Sequence, residues 1–214
     1  NTAGSATGTG AVTVKDTGFL RGSGIIAGDV TIESGGMVTG GSANPFTLNL
    51  GTLSLESGAI LQLGMNDAAG TVGTATGWSF LSLGGTLDLG GTSADPLSLR
   101  LVSLGSGGSS AAAANFDAAA NATFLVATAA GGITGFDAAA WSVDTAQFAN
   151  SYTGTFSLSQ SGNSLFLDYT AASPVPEPST YAMLAGAAAL GVALWRRRGI
   201  RSAIRGGIAS AGTR

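Results

Sequence analysis

The chain contains no histidine and no cysteine. Ser-His-Asp and Cys-His catalysis and the usual zinc sites are thereby excluded, and any chemistry would have to run on carboxylates. Asp88, Asp95 and Arg100 form the only grouping with both signs near a pair of strand candidates. A polysaccharide lyase or hydrolase needs such a set, acids beside a base on a solvent-facing strand. Charges so placed are more commonly plain solvated surface, so the expectation is no enzyme, no catalytic residue, no cofactor and no metal site. Asn66-Asp67, and Asp16 with Asp29, are too sparse for calcium, whose repeated loops need Gly-Gly-x-Gly-x-Asp in tandem. Gly35-Gly36 and Gly107-Gly108 precede no Lys-Ser or Lys-Thr and open no helix, which makes them turns rather than phosphate cradles. Trp78, Trp141 and Tyr152 would stack on sugar rings if exposed, but burial is the expectation for such aromatics.

A different chemistry, recognition of the chain by an enzyme, is written in Val175-Pro176-Glu177-Pro178-Ser179-Thr180. The prolines hold an extended, donor-poor backbone that suits an enzyme cleft, and Glu177 offers the one charge there. Tyr181 to Trp195 follows without charge or proline, and then comes Arg196-Arg197-Arg198. One transmembrane α-helix is expected over 181–195, although at ~1.5 Å per residue it spans only ~22 Å against a hydrocarbon core of ~30 Å. Lengthening toward Ser179 and Ile200, with the arginines snorkelling, would make up the difference. The arginines would act as the stop-transfer cluster and hold the tail on the cytoplasmic side. Residues 1–195 carry only Lys15, Arg21 and Arg100 against all twelve acids, while the other six basic residues lie from Arg196 onward. An acidic domain of this kind is a poor nucleic-acid ligand, and the basic tail suits a membrane surface.

Pro-Glu-Pro, an uninterrupted apolar helix and an arginine cluster, in this order at the C-terminus, resemble the PEP-CTERM protein-sorting signal of exopolysaccharide-producing Gram-negative bacteria. The resemblance implies a sorting motif at Pro176, Glu177 and Pro178 and a stop-transfer cluster at Arg196, Arg197 and Arg198. It implies an exosortase-type membrane transpeptidase as partner, the lipid bilayer as host before processing, and exopolysaccharide as a further candidate partner. The protein would be exported, held in the envelope until processed, then placed on the cell surface or in the extracellular matrix. One departure is the length of chain after Arg198, where such signals usually stop within a few residues; Arg201 and Arg205 extend the basic patch. The alternative reading is an ordinary single-pass anchor behind a proline-rich spacer. The sequence starts at Asn1 with no initiator methionine, basic region or apolar leader, so either a signal peptide has been removed or the chain is a fragment.

Thirty-five glycines and a charged fraction of 10%, with regularly placed Val, Ile and Leu, favour many short strands joined by tight turns over a charged helical bundle. Without cysteine, stability must come from backbone ladders and an apolar core. Val30-Thr31-Ile32-Glu33-Ser34-Gly35 recurs after twenty-three residues as Leu53-Ser54-Leu55-Glu56-Ser57-Gly58. Alternation at period two puts Val30, Ile32, Leu53 and Leu55 inside and Glu33 and Glu56 outside, and the glycine supplies a turn before a new strand. A strand-turn-strand unit of this length cannot bury its own apolar face and must stack on its neighbour. Gly51-Thr52-Leu53-Ser54-Leu55 reappears as Gly85-Thr86-Leu87-Asp88-Leu89 and as Gly154-Thr155-Phe156-Ser157-Leu158, with spacing no longer constant.

Further strands are predicted at 11–14, 46–50, 59–63, 78–83, 97–104 and 123–128, a loop at 105–121 and a short helical turn at 138–141. Strands 154–160 and 164–169 are joined through Ser161-Gly162-Asn163 as a hairpin. The fold class expected is all-β: a single right-handed parallel β-helix or solenoid with a C-terminal β-hairpin cap, followed by the transmembrane helix. Its Gly-Thr-Leu-x-Leu strands and final hairpin resemble autotransporter-associated β-strand repeats. The divisions are an exported domain over 1–170, a linker with the sorting motif over 171–180, the helix over 181–195 and a basic cytoplasmic tail over 196–214. The function expected is a non-enzymatic surface or matrix protein with a sorting and anchoring signal; an autotransporter-like adhesin passenger and an envelope polysaccharide lyase or hydrolase are the alternatives.

Overall fold

Strands form here because apolar residues alternate with hydroxyl and charged ones. Leu53-Ser54-Leu55-Glu56 runs buried, half-buried, buried, exposed, and Leu97 to Ser103 repeats the alternation over seven residues. The computed structural model describes residues 5, 7–105, 108–173, 182–192 and 194–195. The chain divides into two compact units, Asn1–Ala172 and Ser173–Arg214.

In the first unit, three sheets each take every third strand. Sheet 1 has the order β1 (Val12–Val14), β4 (Val30–Ile32), β7 (Leu53–Glu56), β10 (Leu87–Gly90), β13 (Ile133–Thr134). Sheet 2 runs β2 (Phe19–Gly22), β5 (Met37–Gly40), β8 (Ile60–Met65), β11 (Leu97–Ser103), β14 (Trp141–Gln147). Sheet 3 runs β3 (Ile25–Ile26), β6 (Thr47–Leu50), β9 (Phe80–Leu83), β12 (Ala122–Ala129), β16 (Ser164–Thr170), β15 (Thr155–Ser161). Pairing is parallel throughout sheets 1 and 2. In sheet 3 it is parallel as far as β12, after which β16 and β15 pair antiparallel.

Register aligns like with like. Val30 lies beside Leu53 and Ile32 beside Leu55, and Leu53 and Leu55 in turn lie beside Leu87 and Leu89. All six are at most 3% exposed and belong to one core cluster with Leu61, Leu81, Leu99 and Leu165. Glu56 is exposed, and Glu33 is half-exposed with Lys15 3.9 Å away.

The turn that follows sheet 1 explains the recurring glycine. Gly35 and Gly58 both sit at φ +75°, and Gly35 N donates to Gly58 O at 3.0 Å. In the layer before, Thr17 occupies the same place at φ 63° and donates to Gly35 O at 3.3 Å. A β-branched residue in that region is strained, so one member of this stack of turns is held in place by its neighbours.

Connections from sheet 2 to sheet 3 lengthen along the chain: 23–24, then 41–46, then 66–79, then the stretch between Ser103 and Ala122. Backbone bonds tie the later ones together, Ala68 N to Ala114 O and Ala114 N to Asn66 O, both at 2.8 Å. At the hairpin end Phe116, Phe148, Tyr152, Phe156 and Tyr169 pack ring against ring at centroid separations of 4.9–6.2 Å. Tyr169, 1% exposed, donates its hydroxyl to Ala118 O at 2.9 Å and accepts from Gly154 N at 3.1 Å.

The expected fold class is therefore corrected. In place of a single right-handed parallel β-helix or solenoid with a C-terminal hairpin cap, the strands form three sheets joined by unequal connections, and one of the sheets is mixed. The constant twenty-three-residue spacing holds for one recurrence only, because the later insertions fall between sheets 2 and 3. In the second unit, residues 182–192 and 194–195 are helical. Among the described residues no helix is long and apolar enough to cross a membrane, which corrects the transmembrane helix expected over 181–195. At ~1.5 Å per residue the segment is short of a ~30 Å core.

Two outcomes are expected from this packing. Leu55→Asp places an unpaired carboxylate in the core at a cost of several kcal/mol, comparable to a domain's whole stability of ~5–15 kcal/mol, whereas Glu56→Ala costs about 0.5 kcal/mol or less; equal melting temperatures would refute the register. Thr17→Gly relieves the strained turn and raises stability by about 0.5–1 kcal/mol in urea titrations, while Gly35→Ala lowers it by more than that.

Candidate functional site

Asp88, Asp95 and Arg100 do not converge. Asp88 faces outward on sheet 1, where its Oδ1 accepts from Thr134 Oγ1 at 2.8 Å on the neighbouring strand. Asp95 lies in the turn before β11, where its backbone N donates to Thr92 Oγ1 at 3.1 Å and its carbonyl accepts from Thr92 N at 3.1 Å. Arg100 lies on sheet 2, and its partner is Asp144: the two are in register on β11 and β14, with Arg100 Nε 3.2 Å from Asp144 Oδ2. An acid and a base on different sheets, each held by a neighbour in its own sheet, do not make the acid–base pair that glycoside cleavage requires. The Arg100–Asp144 pair is partly solvated, with side chains 27% and 37% exposed, and contributes roughly 0–1 kcal/mol.

Asp144 was not singled out in the sequence. Its signal was the alternation Trp141-Ser142-Val143-Asp144, masked by the alanine run before it that reads as a helical turn. Such a turn is present at Ala138–Ala140, capped by Asp137, whose side chain accepts from Ala139 N, and β14 starts directly after it.

Asp67 and Asn150 serve the fold. Asp67 accepts from Asn115 Nδ2 at 2.9 and 3.0 Å and from Ala69 N at 2.9 Å, clamping two of the long connections together. Asn150 does the same for Ala113, donating to its carbonyl and accepting from its amide, both at 2.8 Å. Among the described residues no three Asp or Glu side chains gather where they could hold a metal ion. Gly35 is a turn glycine, as is Gly108 at φ +78°, and Gly107 lies outside the described residues.

Trp78, Trp141 and Tyr152 are half-buried and packed on the core. Trp78 donates Nε1 to Leu125 O at 2.8 Å and meets Phe124 edge-on at 5.4 Å. Tyr152 shares a hydrogen bond with Thr145 Oγ1 at 2.6 Å. The polar atoms of Trp78 and Tyr152 are thus committed to the fold, and Trp141 is packed against the core.

In the second unit the helical residues are exposed, Met183 and Trp195 to 76% and 77%. The sorting residues Pro176, Glu177 and Pro178 and the cluster Arg196, Arg197 and Arg198 lie outside the described residues.

No curated protein matches the chain. The likeness of the β unit to autotransporter-associated repeats finds no support. Residues 174–198 match the PEP-CTERM protein-sorting motif, and by that match the chain carries the sorting signal of an exported protein.

Proposed function

We propose that this is a non-enzymatic protein of the cell surface or extracellular matrix, delivered there by a C-terminal signal that an exosortase-type membrane transpeptidase reads. The observation that carries this reading is the match over residues 174–198. Within that segment two physical roles are separable. Pro176 and Pro178 carry no backbone N–H and flank the single charge of Glu177, a combination an enzyme cleft can recognise. Arg196, Arg197 and Arg198 supply a compact positive charge that anionic headgroups attract, at roughly 1 kcal/mol per residue, while the chain is processed at the membrane.

The non-enzymatic part rests on the chemistry left to the β unit. It has neither histidine nor cysteine, and Asp67, Asp88, Arg100 and Asp144 are engaged in bonds that hold strands and loops together. A domain whose charges serve its own ladders is suited to persist in a matrix.

Replacing Pro176, Glu177 and Pro178 together by alanine is expected to leave the chain untrimmed, whereas the parent loses Arg196–Arg198 and reaches the surface or matrix fraction. Mass spectrometry of the mature C-terminus reads both. A parent chain that keeps its arginines in cells possessing the transpeptidase would overturn the proposal. Reducing-sugar release from matrix polysaccharide that Asp88→Asn abolished would overturn its non-enzymatic half.

A further inference from the structure

The outer faces of the three sheets differ in charge. Sheet 1 presents Glu56 and Asp88, and sheet 2 presents Arg21 and the Arg100–Asp144 pair. Sheet 3 presents one acid, Asp168, which accepts from Thr123 Oγ1 at 2.7 Å on the neighbouring strand, and beside it a row that carries no charge. Asn49 pairs in register with Ser82, Ser82 with Thr128, Thr128 with Ser164, and Ser164 with Ser161, so one line of amide and hydroxyl groups crosses five strands. Asn49, Ser82 and Thr128 alternate with buried leucine or alanine along their strands, Ser164 precedes buried Leu165, and Ser161 is exposed at the end of β15, which turns the row toward solvent. Among the described residues the hydroxyls of Ser82, Thr128 and Ser164 have no hydrogen-bond partner.

Two further features qualify the row as a binding face. Neighbouring strands lie ~4.8 Å apart, so its donors and acceptors recur at a fixed interval. Beside it, on the same side of the sheet, stand the half-exposed rings of Phe80 and Phe166, two residues away from Ser82 and Ser164 along their strands. Repeated neutral hydrogen-bonding groups flanked by apolar rings complement a polymer with the same alternation, hydroxyls at its edges and C–H faces between them. A strongly charged polymer finds no counter-charge on this row.

We infer that the outer face of sheet 3, along Asn49, Ser82, Thr128, Ser164 and Ser161, binds a neutral polysaccharide lengthwise across the strands. The inference rests on the proposed surface or matrix role and names the ligand class for it. Binding is spread over several weak contacts, so the ligand is a long chain rather than a monosaccharide.

Affinity electrophoresis of the full chain through gels containing a neutral β-glucan, a neutral α-glucan or the polyanion alginate tests this. The parent is expected to be retarded by at least one neutral glucan and not by alginate. The double variant Ser82→Glu, Thr128→Glu should lose at least ten-fold in apparent affinity while keeping a cooperative melting transition, lowered somewhat because the two carboxylates lie opposite one another, and Phe80→Ser should weaken retardation independently. Glu56→Gln on sheet 1 should bind as the parent does. No retardation by either neutral glucan, retardation by alginate instead, or equal retardation of the double variant would each overturn the inference. Failure here is distinct from failure of the sorting proposal: a chain trimmed at its C-terminus that ignores both glucans refutes this face alone, and an untrimmed chain that binds them refutes the sorting alone.

Discussion

The inner strands of the sheets, such as β4, β7 and β10, each turn two aliphatic side chains inward and have nothing of their own to cover them; the neighbouring strands of the sheet cover them. The in-register contact of Ile32 with Leu55 and Leu55 with Leu89 is the constraint on which the β unit depends. Full burial of a leucine or isoleucine contributes ~1.5–3 kcal/mol, and it is realised only when equivalent residues face one another across ~4.8 Å. Stacked turns with positive φ at Thr17, Gly35 and Gly58 keep that register by returning the chain at the same angle each time. With the interior specified this way, outward positions are under little structural demand and can differ from sheet to sheet.

Much of this was legible in the sequence, because the pairs Ile32/Leu55 and Gly35/Gly58 share both alternation and spacing. The hairpin was legible too, from Ser161-Gly162-Asn163 between two alternating runs; β15 and β16 are Thr155–Ser161 and Ser164–Thr170. What the sequence concealed has physical causes. β2 and β3 are short edge strands whose residues are only partly buried, so their alternation is weak. The insertions between sheets 2 and 3 are held by Asp67, Asn115 and Asn150 across long sequence separations, and no local pattern marks such partners. The membrane-spanning expectation rested on composition, and fifteen residues at ~1.5 Å each fall short of a ~30 Å core however apolar they are.

The site tells a similar story. Asp88, Asp95 and Arg100 are close in sequence, yet a chain that rotates through three sheets sends neighbours in sequence to different faces and brings residues such as Arg100 and Asp144 together instead. Chemistry in this architecture is therefore read along rows that cross strands, not along the chain. The sorting motif escapes this rule because its information is local in the sequence: a Pro-Glu-Pro signature, an apolar run and a charge cluster in fixed order.

The account assigns the address to residues 173–214 and the body to residues 1–172, the two units into which the chain divides. Attaching residues 173–214 to an unrelated secreted reporter tests this most directly, with localisation and C-terminal mass as the readouts. The account predicts a reporter found in the surface or matrix fraction without Arg196–Arg198, and a β unit without the tail that folds but is released to the medium. A reporter that keeps its arginines, or a tail-less β unit that still reaches the surface, would contradict it.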